Sequence, residues 1–282
     1  MTPGERWPGT LGLGMGWRPE LAHFIDRHPG LGFVELLAED FEPRGPLPPA
    51  LENLRERGMT FVLHGVSLSL GGAAPPEPRR LEHLARVAER VGAVLVSDHV
   101  CFVRAGGLES GHLLPVPRTR EMLEVLVENV RLAREALPVP LALENIATLV
   151  EWPSPELDEA TLLAELVERT DTLLLLDLAN LHANARNHGW EPLSWLERLP
   201  WERLAYVHMA GGVEQGGRYH DTHAHPLPRE PLELLAALCE RTRPPGVLLE
   251  RDDHFPPDAE LAAELDAITG VLSRGEGAHA VR

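Results

Sequence analysis

The chain has 282 residues, 44% hydrophobic and 24% charged, a composition that suits a packed globular protein and excludes disordered and fibrous classes. Its formal net charge of −17, from 43 acidic against 26 basic residues, would repel a phosphate backbone and argues against nucleic acid as a partner. It has no apolar run long enough for a membrane span, no export signal, and too few cysteines (Cys101 and Cys239) for a disulfide framework, so a cytoplasmic location without a membrane partner is expected.

Apolar, β-rich runs alternate with helical patterns along the whole chain. Strand Thr10–Gly16 precedes a helix near Pro19–Arg27, and Gly32–Leu37 precedes one near Pro48–Arg57. Thr60–His64 is followed by Pro78–Val91, and Ala93–Ser97 by Thr119–Ala136. Leu141–Glu144 leads to Asp158–Arg169, and Thr172–Asp177 to Pro192–Leu199. Leu204–His208 then leads to Pro231–Thr242, and Gly246–Glu250 to Pro257–Leu272. Proline or an acid opens most of the helices, as first turns prefer. Gly45–Pro49 and Gly72–Pro78 read as loops. Near-continuous apolar strands such as Thr172–Asp177 indicate a parallel sheet buried on both faces. Eight such units predict one (β/α)₈ TIM barrel over residues 1–274, with a frayed tail over 275–282.

Six of the eight apolar runs stop at a metal-ligand type of residue: His64, Asp98-His99, Glu144-Asn145, Asp177 with Asn180, His208, and Glu250. One His or Asp after a strand is ordinarily a cap or a hydrogen-bonded loop residue. In a closed barrel, however, all these strand ends converge on one face, where active sites of this fold lie. Carboxylates crowded there repel one another and resist desolvation unless cations compensate them. Among strand ends the sequence offers only Arg251 as a cation, and the chain contains no lysine at all, so a divalent metal is indicated. Asp221 and His223 extend the set, because i, i+2 spacing in an extended segment turns both side chains the same way. His220 and His225 would then face elsewhere.

These residues resemble those of the multinuclear non-heme iron-dependent oxidative enzymes, typified by the methanobactin biosynthesis oxidase. The matching pieces run from Gly12-Leu-Gly-Met-Gly16 through His64-Gly-Val-Ser, Ser97-Asp-His99, Glu144-Asn145, Asp177-Leu-Ala-Asn180, His208-Met-Ala-Gly211 and Asp221-Thr-His223 to Glu250-Arg-Asp-Asp253. The resemblance implies nine metal ligands: His64, His99, Glu144, Asp177, Asn180, His208, Asp221, His223 and Glu250. It further implies two or three iron ions, O₂ as co-substrate, and oxidation of cysteine or another residue in a ribosomally made precursor peptide. A separate protein that recognises the leader peptide is the implied partner.

Asp98, Asn145, Arg251 and Asp252 are candidates to orient the ligands, and Glu39 and His182 could reach the pocket. A packing role is the plainer reading of His182, and a surface position equally suits Glu39. Glu35 stands on the second strand where other strands offer histidine, while His188 has no assigned role. Cys101 reads as a small buried thiol. Two other chemistries use similar ligand sets on the same barrel. Sugar isomerases or epimerases generally add a catalytic lysine or a positioning base, and apurinic-endonuclease-like phosphodiesterases need a basic groove. A non-catalytic metal- or peptide-binding protein would instead saturate its metals.

Overall fold

The computed structural model describes residues 9–280. Eight parallel strands close a barrel: β1 (Gly12–Gly16), β2 (Phe33–Leu37), β3 (Thr60–His64), β4 (Val96–His99), β7 (Leu141–Glu144), β8 (Leu173–Asp177), β9 (Leu204–Met209) and β12 (Gly246–Leu249). Each hydrogen-bonds to the next, and β12 returns to β1 with Gly12 opposite Gly246. Outside the ring run α1 (Ala22–Arg27), α2 (Pro49–Glu56), α3 (Pro78–Val91), α4 (Arg120–Ala136), α5 (Glu159–Thr170), α6 (Leu178–His188), α7 (Pro192–Leu196), α8 (Arg229–Cys239) and α9 (Asp258–Ala280). The chain therefore has the single TIM-barrel architecture that its alternation predicts. The last helix continues past Gly275, where the sequence suggested fraying, to Ala280; residues 281 and 282 lie outside the described residues.

A strand's period of two explains both the core and the site. Outward residues such as Val34, Leu63, Val96, Leu143, Leu176 and Val207 pack under the helices in the main apolar cluster. Inward residues Phe33, Val62, Leu95, Ala142, Leu175, Tyr206 and Leu248 fill the barrel as a second cluster. Two residues further along the same faces stand Glu35, His64, Ser97, Glu144, Asp177, His208 and Glu250, all buried. The apolar layer thus becomes a polar layer at the C-terminal rim. β1 contributes glycine instead: a Cβ on Gly14 would lie 2.3 Å from the Phe33 ring, so glycine is what lets that ring fill the barrel.

Three features differ from the sequence reading. β4 begins and ends later than expected and carries Asp98 and His99 within the strand. Two hairpins, β5 (Cys101–Ala105) with β6 (Leu108–Pro115) and β10 (Gly212–Gln215) with β11 (Arg218–Asp221), rise from the loops after β4 and β9. Finally, α6 starts immediately after β8. Asp177 ends the strand and caps the helix, its Oδ1 accepting from the Asn180 N–H at 2.8 Å, and Gly189 terminates the helix in the left-handed region. With no loop between the two elements, turn residues gave no sign of this helix.

Candidate metal centre

The rim residues draw together into overlapping groups. Four triads each offer ligand atoms within 4.8 Å of one another: His64, His99 and Glu144; Glu144, Asp177 and His208; Asp177, His223 and Glu250; and Glu35, His208 and Glu250. Glu144, Asp177, His208 and Glu250 each belong to two triads, so the cluster is continuous. His99 Nε2 lies 3.1 Å from Glu144 Oε2, and His208 Nδ1 lies 3.2 Å from both Glu144 Oε1 and Glu250 Oε2.

Many of the inward atoms have no hydrogen-bond partner. Glu144 Oε2, Asp177 Oδ2, His208 Nδ1, Asp221 Oδ1 and Glu250 Oε2 are all buried and unpaired among the described residues. An orphaned polar atom costs about 1–3 kcal/mol, so five in one bowl call for something to fill it. Nitrogen and oxygen donors without a thiolate fit more than one borderline or hard divalent ion, and iron is among those they suit.

The electrostatics show the same need. Burial pushes Asp177 well above the usual carboxylate range, and Asp221 and Glu144 push it further. Burial also raises Glu144, but His99, His208 and His64 overcome that and bring it to about 2. Glu250 is likewise held well below the ordinary range, against its own burial, by His223 and His208. Burial lowers His99 to about 4 despite the Glu144 charge. His208 is raised well above the ordinary imidazole range because Glu35, Glu250 and Glu144 outweigh its burial.

The remaining candidates take distinct places. Asp221 ends β11 and pairs with His223 Nε2, whose ring turns inward on a left-handed backbone with φ of 51°. His223 is therefore not in the extended segment its spacing suggested. Its Nδ1 faces Glu250 Oε2 at 3.3 Å and Asp252 Oδ2 at 3.1 Å. Asn180 donates from Nδ2 to the Asn145 carbonyl at 3.0 Å, which leaves Oδ1 as its ligand-type atom. Asn145 clamps Asp177 from both sides, donating to its carbonyl and accepting its N–H at 2.9 Å each. Asp98 accepts from the Leu68 and His99 N–H groups and so holds the loop after β3.

Other residues stand apart from the cluster. His182 packs edge-on against Tyr219, 4.8 Å between centroids. His188 bonds to Thr148. Glu39 is exposed and accepts from the Val66 N–H. Arg251 turns away from the bowl to Glu264 on α9, at 2.8 Å, and anchors the strand end. Cys101 is buried with Val103 and Ile146, and burial pushes its thiol well up.

Four residues outside the predicted set contribute to the site. Arg18, beyond the end of β1, pairs with Asp252 and places a second cation at the rim. Glu35 lies beneath His208, whose Nε2 is 3.0 Å from Glu35 Oε2. Tyr206 and Ser97 complete a floor under the cluster. The available signal was the period of two, which sets Glu35 and Ser97 on the ligand-bearing face.

Residues 12–273 match the model of the RiPP precursor modification enzymes MbnB/TglH/ChrH. The chain belongs to that family. This is the family that its strand-end motifs resemble. A UPF0276 protein of Streptomyces avermitilis is 56% identical over 273 residues, covering 94% of this chain. The chain spans only 56% of that relative's length. A UPF0276 protein of Caulobacter vibrioides is 38% identical, covering 90% of this chain and 92% of the relative. Among solved structures, D-psicose 3-epimerase from Clostridium cellulolyticum superposes with a TM-score of 0.61 at 13% identity, covering 93% of this chain and 99% of that one. Endonuclease IV from Thermus thermophilus gives 0.56 at 21% identity, again covering 93% and 99%. Both likenesses concern the barrel alone. Among the described residues, no helix is long and apolar enough to cross a membrane.

Proposed function

We propose that this protein oxidises residues, cysteine foremost, in a ribosomally synthesised precursor peptide, using two or three iron ions and O₂. The observation that carries this reading is the set of overlapping triads whose buried donor atoms lack partners, in a chain of the precursor-modifying family. His64, His99, Glu144, Asp177, Asn180, His208, Asp221, His223 and Glu250 would hold the ions. When bound, iron supplies the one-electron and oxygen chemistry that no side chain of this site can supply.

The protein's own residues supply position and exclusion. Asn145 fixes Asp177, Asp252 orients His223 through Nδ1 and leaves Nε2 beside Asp221 as the nitrogen an ion would take, and the apolar layer below the rim closes the bowl to water from the barrel interior. Such fixed placement lets a peptide side chain be held against the reacting centre. A leader-recognising partner protein and a cytoplasmic location complete the proposal.

Anaerobically iron-loaded protein, given O₂ and a precursor peptide encoded beside its gene, is expected to change that peptide's mass by an oxidative increment. An unchanged peptide in the presence of bound iron, O₂ and the partner protein would reject the assignment. The sugar-epimerase reading draws no support from the absence of lysine, and the net charge of −17 disfavours the DNA-directed one.

A further inference from the structure

A single chain of hydrogen bonds crosses the barrel floor beneath the cluster. His64 Nδ1 lies 2.8 Å from Ser97 Oγ, and Ser97 Oγ lies 2.9 Å from the Tyr206 hydroxyl. Tyr206 donates to Glu35 Oε2 at 2.5 Å, and His208 Nε2 meets the same oxygen at 3.0 Å. His64, Ser97 and Glu35 come from three different strands, Tyr206 and His208 share a fourth, and all are buried.

We propose that Tyr206 is a positioning residue that fixes which nitrogen His64 presents to the metal cluster, with Glu35 acting as the anchor of the chain rather than as a ligand. The inference rests on the metal-dependent reading above. It follows from counting protons. The Tyr206 hydroxyl donates its one proton to Glu35 Oε2. Ser97 must then donate to the Tyr206 oxygen, which spends the only proton Ser97 has. His64 Nδ1 is left to donate to Ser97 Oγ, and the lone pair of His64 falls on Nε2. That is the nitrogen facing Glu144 Oε2, at 3.6 Å.

The other end obeys the same rule. His208 donates from Nε2 to Glu35, which turns Nδ1 toward Glu144 and Glu250, where it has no hydrogen-bond partner. Glu35 Oε2 already receives two donors, so a ligand role would compete with both. One carboxylate therefore orients two imidazoles, His208 directly and His64 through Tyr206 and Ser97, so that Tyr206 carries its influence to the farther triad. The Tyr206 ring itself packs edge-on against Phe33, 5.8 Å between centroids, so removing the hydroxyl alone leaves that packing in place.

Tyr206→Phe separates the two roles. In it, Ser97 is free to donate to His64 Nδ1, which moves the imidazole proton to Nε2 and blocks the ligand nitrogen. The first readout is nitrogen NMR of ¹⁵N-histidine-labelled, chelator-treated protein, with His64 assigned through His64→Gln. Wild type is expected to show the Nδ1–H form at His64, and Tyr206→Phe a mixed or Nε2–H form. The second is anaerobic competition for iron(II) against a chelator, where Tyr206→Phe is expected to weaken one ion by about 10–100-fold. Ser97→Ala breaks the next link, should Tyr206→Phe misfold, and the double variant is expected to lose no more than the worse single one. An unaltered His64 tautomer in both variants would overturn the inference, as would iron(II) affinity within about twofold of wild type, well short of that loss. If wild type binds no iron, the metal reading fails, while the tautomer measured in metal-free protein still decides the role of Tyr206.

Discussion

Glu144→Gln is the substitution whose consequences the structure determines most fully. It keeps the shape and removes one charge from a residue that belongs to two triads. In the metal-free protein this carboxylate is 1% exposed, and His99, His208 and His64 bring it to about 2 against its burial, from an ordinary 4.5. The difference of 4.5 − 2 = 2.5 units, at 1.36 kcal/mol each, sets an upper bound of about 3 kcal/mol on the stability from the charged form, because His99, itself held at about 4, is uncharged at pH 7 and leaves His208 as the charged partner. Because the folded-state value is depressed, that contribution is complete above the unfolded value near 4.5 and fades as pH falls toward 2. Urea denaturation of chelator-treated protein is therefore expected to show Glu144→Gln less stable at pH 7 by up to about 3 kcal/mol, with the gap closing below pH 4.5. Repeated with iron(II) under nitrogen, the gap should widen, since the variant forfeits stabilisation by the bound ion. Equal stability at pH 7, or a gap indifferent to pH, would refute the electrostatic account of the cluster.

Asp177→Asn should act in the opposite sense without metal. Burial with Asp221 and Glu144 nearby raises this carboxyl, so its charged form costs stability at neutral pH. The amide retains an oxygen for the Asn180 N–H, and the variant is expected to melt higher in chelator while binding fewer ions, checked by thermal denaturation and metal analysis. Arg251→Ala should remove the two guanidinium bonds to the half-buried Glu264 carboxylate, which keeps only the Leu227 N–H, and cost about 1–3 kcal/mol in urea titration, with metal stoichiometry unchanged in the folded fraction. A loss of iron without a loss of stability would instead place Arg251 in the site.

Much of the centre was legible because the barrel turns a one-dimensional pattern into a place. In Val62-Leu63-His64 and Leu175-Leu176-Asp177 the inward position changes from apolar to ligand type at the last residue of the strand, and every parallel strand ends at the same rim. What stayed hidden was whatever that pattern does not encode. The period of two turns Glu35 inward, but its partners, Tyr206 and His208, come from another strand that only the closed barrel brings to it. Helix α6 was hidden because Asp177 both ends a strand and caps a helix, so no turn composition marks the junction. The hairpins after β4 and β9 break the alternation, and their tight turns at Gly106-Gly107 and Gly216-Gly217 are local signals that the strand–helix period does not carry. Arg18 was missed because it stands beyond the strand end, and only the fold brings it to Asp252 on the neighbouring strand's loop.

The proposed chemistry requires that this cluster hold iron that reacts with oxygen. Metal analysis with Mössbauer spectroscopy on anaerobically purified, iron-supplemented protein tests that most directly. Two or three irons per chain, with a coupled pair whose spectrum changes on exposure to O₂, is the predicted result. Tightly bound zinc, with no iron retained and no response to oxygen, would contradict it.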